Sequence, residues 1–267
     1  MDEAARYNIA RWQALADADA LFTRPALDLD TTSARALVDP ERLLGEFAGK
    51  DVLCLAAGGG QQAIAFALLG ARVTVVDLSE AQLARDRMAA AHYGVTVTAI
   101  QADMRDLAAL DADAFDLVYQ PYAINFVPEV GSVFREVARV LRPGGRYYLQ
   151  TANPFFSGLG TPDWNGAGYT LRQPYIDGAE TTYTDESWVY DRDKDQPTPI
   201  PGPREYRHTL GTLLNGLAGQ GFVLQHFSEF KSLHPDANAE PGTWPHLTAF
   251  APPWLAFWSV YRPDVRG

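Results

Sequence analysis

Apolar residues along this chain fall into short runs, each closed by glycine or by an acid, with helical patterns between them. Asp51 to Ala56 (DVLCLA) is a continuous apolar segment leading into Ala57-Gly58-Gly59-Gly60. Runs of this length closed by glycine read as buried parallel strands. Gln61 to Leu69 is rich in Ala and Leu and closes at Gly70, the pattern of a helix ended by a residue free to adopt positive φ. Ala71 to Asp77 is β-branched and apolar with a carboxylate at its end, and Ser79 then caps a helical run from Glu80 to Tyr93. Val95 to Ile100, Phe115 to Tyr119 and Arg146 to Thr151 read as further strands, with a helix over Gly131 to Leu141. His208 to Ala218 reads as a helix, and Phe222 to Phe230 and Trp254 to Tyr261 as the last strands. The rhythm predicts an α/β fold: a Rossmann-like, doubly wound, mostly parallel seven-stranded sheet with helices on both faces.

Two segments stand outside that rhythm. Ala4 to Leu21 has helical spacing with Tyr7, Trp12, Leu15 and Leu21 on it, so it is expected to dock on the sheet domain. Residues 153–205 break into prolines and scattered aromatics, including Trp164, Tyr169, Tyr175, Tyr183, Trp188 and Tyr190. A linker is poor in aromatics, so this stretch is read as a functional cap. The organisation is therefore 1–48, an N-terminal helical lid; 49–152, the ligand-binding half of the sheet; 153–205, the aromatic cap for substrate recognition; and 206–267, the elements that complete the same sheet.

Composition narrows the function. With 22 Lys and Arg against 33 Asp and Glu, the net charge is −11, a field that repels phosphate backbones and anionic membranes. The one cysteine excludes an internal disulfide and a thiolate metal cluster. No stretch approaches the roughly 20 apolar residues of a membrane span, and the first residues are not a basic-then-apolar leader. The expectation is a cytoplasmic protein acting on a small molecule, with no nucleic-acid or membrane partner. Its five histidines show no metal-ligand spacing, so no metal is expected.

A glycine turn at the carboxyl end of the first strand, opening a helix, lets a ligand approach the backbone. Asp77, seventeen residues past Gly60, lies where a carboxylate takes ribose hydroxyls. These two features suit a nicotinamide dinucleotide and S-adenosylmethionine equally. Later segments add Gln101-Ala102-Asp103-Met104 after strand three, a carboxylate and an apolar side chain suited to the amine and face of adenine. Gln120-Pro121-Tyr122-Ala123-Ile124-Asn125-Phe126 follows strand four, and Phe134 to Gly145 (FREVARVLRPGG) precedes strand five.

Taken in order, these segments resemble the class I S-adenosylmethionine-dependent methyltransferases, in particular the small-molecule branch of ubiquinone/menaquinone type. The resemblance covers Lys50 to Thr151 well, the region from His208 onward fairly, and the aromatic insert hardly at all. It implies S-adenosylmethionine as cofactor, S-adenosylhomocysteine as product, and in-line methyl transfer to an O- or N-nucleophile. It further implies that Ala56, Gly58 and Gly60 form the turn under the methionine part, that Asp77 and Leu78 take the ribose and adenine, that Asp103 and Met104 take the adenine edge, and that Tyr119 to Tyr122 border the sulfonium. The family's acid two residues before its first glycine falls here on Cys54, and that glycine on Ala56. Recognition of the methionine ammonium must therefore differ, and Cys54 itself reads as a buried hydrophobe.

On the acceptor side, His208 and Tyr122 are the expected proton-handling residues. Tyr7, Trp12, Trp164, Trp188 and Tyr206 are the expected lining of a pocket for a planar or apolar acceptor or an amine. Two rivals stand beside this reading. A nicotinamide-dependent oxidoreductase would use the same turn, though the sequence holds no Tyr-x-x-x-Lys pair; a catalytically idle S-adenosylmethionine-binding protein would fit Cys54 and Ala56.

Overall fold

The computed structural model describes residues 2–171, 173–181, 200, 202–230 and 234–265. Its centre is a sheet of seven strands in the order β3-β2-β1-β4-β5-β9-β8. These are β1 (Asp51–Leu55), β2 (Arg72–Asp77), β3 (Val97–Gln101), β4 (Phe115–Gln120), β5 (Leu141–Ala152), β8 (Phe222–Phe230) and β9 (Trp254–Tyr261). β1 to β5 pair in parallel, whereas β9 runs antiparallel between β5 and β8. The chain reverses strand order at β1/β4, and ligands of doubly wound sheets lie outside the carboxyl ends of the strands there.

Strict alternation along the central strands builds two cores, since successive side chains point to opposite faces. Leu53, Leu55, Val118, Tyr147, Leu149 and Phe257 face one layer, covered by α5 (Gly131–Val140) and α6 (Leu210–Gly219). Val52, Cys54, Leu117, Tyr119, Tyr148 and Trp258 face the other, which takes in residues of α2 (Thr31–Val38), α3 (Gln62–Leu68) and α4 (Glu80–Tyr93). The expected seven-stranded, mostly parallel sheet with helices on both faces is the observed one.

The corrections are local. The N-terminal helix, α1, is Glu3–Asp17 and stops short of Leu21, which opens a separate 3-10 turn, Leu21–Thr23. Strand five is longer than expected, taking in the Pro143-Gly144-Gly145 stretch. The helix expected from His208 starts at Leu210, because Thr209 supplies the cap by accepting from the Thr212 N–H. Three features were not expected: α2, α7 (Trp244–Phe250), and the small ladder of β6 (Glu180–Thr181) with β7 (Glu205–Tyr206) inside the cap. Among the described residues no helix is long and apolar enough to cross a membrane. Of the expected cap aromatics, Tyr183, Trp188 and Tyr190 lie outside the described residues.

One packing contact has a testable consequence. Gly216 lies within α6, where alanine is ordinarily favoured by about 0.5–1 kcal/mol. A Cβ there would meet Phe134 ring carbons at 2.8 and 2.9 Å. Overpacking of this kind costs about 1–3 kcal/mol and outweighs the propensity gain. Gly216→Ala is expected to lower stability by about 1 kcal/mol in urea unfolding; a stabilised variant would show that α6 and α5 are not in contact through this ring.

Candidate active site

The glycine turn is built around carboxylates. β1 ends at Leu55, and Ala56 then takes a φ of 50°, the left-handed conformation that a residue with a Cβ adopts only at a cost. Its amide still bonds the Val76 carbonyl at 2.7 Å, so the turn leaves the sheet in register with β2. The Gly58 N–H donates to Asp77 Oδ2 at 2.9 Å, and Asp77 Oδ1 accepts from the Ser79 N–H at 2.8 Å. The Gly59 and Gly60 N–H groups each donate to Asp86, to Oδ2 and Oδ1, at 3.0 Å.

α4 supplies this arrangement through its phase. Ser79 caps it, and Gln82, Asp86 and Ala89 fall on one stripe at helical spacing. A Cβ on Gly58 would meet Gln82 Cβ at 2.7 Å and Asp77 Cγ at 3.0 Å; one on Gly60 would meet Ala89 Cβ at 3.0 Å and the Arg85 carbonyl at 2.8 Å. Glycine is thus required at Gly58 by Asp77 and Gln82, not only by space for a ligand. Gly60 adds a φ of 76°.

Asp86 is fully buried, and that burial pushes its carboxyl up to about 7, against the two glycine N–H groups that favour the charged form. Burial likewise raises Asp77, opposed by the Ser79 and Gly58 amides. Cys54 is buried and its thiol is pushed well up, so it carries no charge here.

The N-terminal segment lies on this turn. Gln61 Nε2 donates to the Arg24 carbonyl at 2.8 Å, the Ala26 N–H bonds the Gly60 carbonyl at 3.0 Å, and Arg85 reaches the Thr23 and Ala16 carbonyls. At the adenine end, Asp103 is engaged by Arg105, whose Nη2 lies 2.6 Å from Oδ2, and Arg105 also bonds Asp2, the N-cap of α1. Met104 Sδ accepts from Gln120 Nε2 at 3.2 Å. Leu78 is half-buried, its carbonyl accepting from Gln101 Nε2 at 3.1 Å.

Tyr119 is a correction to the expected cofactor contacts. Its side chain is buried in the sheet core, stacked on Tyr148 at 4.4 Å and edge-on to Phe66 at 5.2 Å. Strand alternation turns it to the β1 neighbour Cys54 rather than out of the carboxyl edge.

Beyond β4 the structure joins Trp12 and Tyr122 at Phe126. Trp12 and Tyr122 are edge-on to Phe126 at 5.9 and 6.1 Å, Asn8 Nδ2 donates to the Phe126 carbonyl at 3.0 Å, and the Tyr7 hydroxyl donates to the Gly202 carbonyl at 2.7 Å. The Tyr122 hydroxyl donates to Glu205 Oε2 at 2.8 Å, and Glu205 is buried on β7. Asn125 Oδ1 accepts from Thr151 Oγ1 and the Ala152 N–H, both at 2.9 Å, while its Nδ2 donates to the Tyr206 carbonyl at 3.2 Å. Tyr206 is itself buried.

His208 is buried too, with Nε2 3.3 Å from the Ile124 carbonyl, and burial holds its pKa down. Trp164 belongs to a different cluster, with Tyr169 and His246 at 5.2 Å each, where the cap packs on α7. Asp86, Glu205 and Asn125 were missed in the sequence. Asp86 had one signal, a carboxylate on an otherwise buried helical stripe.

The donor set decides what the turn fits. Its Gly59 and Gly60 N–H groups are taken by the chain's own carboxylate, so a pyrophosphate would find a negative charge where it needs donors. Asp77, with one backbone N–H on each oxygen, keeps lone pairs for vicinal ribose hydroxyls. The site fits a nucleoside with a cationic tail better than a dinucleotide.

The sheet order, with its antiparallel β9 set between β5 and β8, is shared with known methyltransferases. Residues 53–149 match the family described as methyltransferase domain. The uncharacterized methyltransferase YbaJ of Bacillus subtilis is 43% identical over 106 residues, 40% of this chain and 42% of that protein. The ubiquinone biosynthesis O-methyltransferase of Pseudomonas syringae pv. tomato is 34% identical over 157 residues, 57% of this chain and 66% of that one. The chain thus matches less than two thirds of the length of these curated relatives. The S-adenosylmethionine-dependent methyltransferase of Mesorhizobium loti, a solved structure, is 27% identical with a TM-score of 0.60, over 88% of this chain and 100% of that one. Residues 53–149 of the chain thus form a domain similar to the methyltransferase family, on the fold of a solved S-adenosylmethionine-dependent methyltransferase.

The raised Asp86 carboxyl makes a stability prediction. A group titrating near 7 when folded and near 4 when unfolded holds its proton longer in the folded state. Its contribution is full below about pH 4 and is lost as pH rises through 7. Relative to Asp86→Asn, the wild-type protein should lose stability between pH 4.5 and 7 by up to about 1.4 kcal/mol per pH unit, and then level off. Denaturant midpoints of both proteins across that range test this; a difference that grows with pH in the opposite sense would remove Asp86 from the buried site.

Proposed function

We propose that this chain transfers a methyl group from S-adenosylmethionine to an oxygen or nitrogen of a small, largely planar acceptor. The observation carrying the reading is the glycine turn closed by Asp86 beside an Asp77 that keeps lone pairs for a ribose. The same feature disfavours a nicotinamide-dependent oxidoreductase. The net charge of −11 supports a small molecule over a nucleic acid, and the single buried cysteine supports a cytoplasmic setting.

The cofactor supplies an activated methyl carbon on a sulfonium. Asp77 accepts from the ribose hydroxyls, Leu78 and Met104 cover the adenine, and the turn from Ala56 to Gly60 passes beside the methionine end. Asp103 serves the adenine amine while keeping Arg105 as a second partner. α1 and the β6–β7 ladder exclude water from the acceptor, as alignment and desolvation require. Tyr122, held by Glu205, takes the proton released by an acceptor hydroxyl or amine and passes it to the carboxylate. Tyr7 and Trp12 form the apolar wall beside them, with Tyr206 behind. His208 works by positioning: buried at the Ile124 carbonyl, it holds the turn that presents Tyr122. Trp164 shapes the outer cap, and Trp188 is kept as an acceptor contact from the sequence reading alone.

The purified chain should bind S-adenosylhomocysteine in calorimetry, and Asp77→Ala should weaken that binding by about 1.5–3 kcal/mol, the loss of charge-assisted hydrogen bonds. With labelled S-adenosylmethionine and a panel of phenols, catechols and aryl amines, Tyr122→Phe and Glu205→Gln should cut transfer at least tenfold and leave S-adenosylhomocysteine affinity within threefold. No binding by the wild-type chain would sink the reading. Binding without transfer to any panel member would favour the idle cofactor-binding alternative.

A further inference from the structure

Asp86 has a job that the proposed reaction does not by itself require. We propose that it is the positioning and specificity-determining residue of the glycine turn: its carboxylate holds the Gly59 and Gly60 amides in their binding shape and turns away ligands that bring a phosphate there. The inference rests on the methyltransferase reading and adds to it the residue that selects the cofactor class.

A turn that opens a helix leaves N–H groups pointing outward, and in a low-dielectric setting each must find an acceptor. In nucleotide-binding turns an external phosphate serves. Here both oxygens of one fully buried side chain serve instead, each at 3.0 Å, with the Gly59 N–H shared with the Gln82 carbonyl at 3.2 Å. The anion is internal and fixed on α4, two turns in from Ser79. Cys54, on the strand that leads into the turn, is buried and neutral and cannot supply that charge. Contacts along the stripe restrict Asp86 further: Gln82 and Ala89 flank it against Gly58 and Gly60, so the carboxylate cannot swing away without opening the turn.

The charged groups around Asp86 define how this shows with pH. Asp77 at the end of β2 repels its ionised form, Arg87 on α4 favours it, and the Cys54 thiol on β1 stays protonated. The two glycine amides favour the carboxylate from the turn itself. If the ionised form is the one that shapes the turn, ligand affinity must rise with pH through the range where Asp86 loses its proton, near 7. Asp77 also titrates upward of its ordinary range, so the Asp86 share is the part of the pH slope that Asp86→Asn removes.

The test uses the full chain with S-adenosylhomocysteine and ADP as probes, folding being checked by thermal unfolding. Wild-type affinity for S-adenosylhomocysteine should fall about tenfold from pH 8 to pH 6, and ADP should bind at least a hundredfold more weakly at pH 8. Asp86→Asn should bind S-adenosylhomocysteine at least tenfold more weakly at pH 8 and lose most of the pH slope. Asp86→Ala, which takes the carboxylate from the Gly60 N–H and leaves the Gly59 N–H the Gln82 carbonyl alone, should raise the ratio of ADP to S-adenosylhomocysteine affinity at least tenfold. A flat wild-type profile overturns the assignment whether or not the variants fold. An Asn variant with wild-type affinity and slope overturns it as well. A wild-type chain that binds ADP more tightly than S-adenosylhomocysteine overturns the methyltransferase reading and this inference together.

Discussion

Three amide groups of the glycine turn point at two carboxylates, and the surrounding structure follows from that pairing. An unpaired buried N–H costs about 1–3 kcal/mol, so the turn cannot exist in this shape without acceptors. Asp77 ties Gly58 to the end of β2, and Asp86 ties Gly59 and Gly60 to the second turn of α4. Strand, turn and helix are therefore locked in one register, and Ala56 is held at positive φ between them. Burial raises both carboxyls, and the neighbouring Asp77 raises Asp86 further, which is the cost side of the same arrangement. That cost is tolerable only where amide dipoles converge, as they do here.

The lid is attached on different terms. α1 meets the body through arginines that each cross a boundary: Arg85 to the Ala16 and Thr23 carbonyls, Arg105 to Asp2 and Asp103, Arg204 to Glu3 and Glu180. Exposed ion pairs contribute about 0–1 kcal/mol each, far less than a buried apolar face. Apolar contact is concentrated at Trp12 on Phe126 and at the buried Leu15.

Local pattern made the sheet legible. Short apolar runs closed by glycine or an acid place the strands, and Gly58 to Gly60 with Asp77 marks the expected ligand edge. α2 escaped because Thr31, Thr32, Ser33 and Arg35 dilute its apolar stripe, although Asp30 with Ser33 forms a capping box. α7 escaped because Pro245 lies in its first turn. Site residues were legible where their role is local, as for Asp77, and illegible where a partner distant in sequence decides it. Nothing near Asp103 shows that Arg105 carries it to Asp2, and nothing near Tyr119 shows that Tyr148 and Phe66 claim its ring. Asp86 reads as a surface acid until α4 is docked.

The two halves of the site differ in how they are assembled. The cofactor side comes from one contiguous stretch, Ala56 to Met104, whose geometry is set by neighbouring strands. The acceptor side draws Tyr7 and Trp12 from α1, Tyr122 and Phe126 from the loop after β4, and Glu205 from β7, segments separated by some 80 to 200 residues. These residues lie outside the seven-stranded sheet, and Asn125 ties the loop after β4 to β5. On the proposed reading, substitutions there would change which acceptor is taken without reaching the carboxylates that hold the glycine turn. Specificity for the acceptor can therefore vary on this frame while the cofactor side stays fixed, because the physical constraint on the turn is satisfied entirely within its own half.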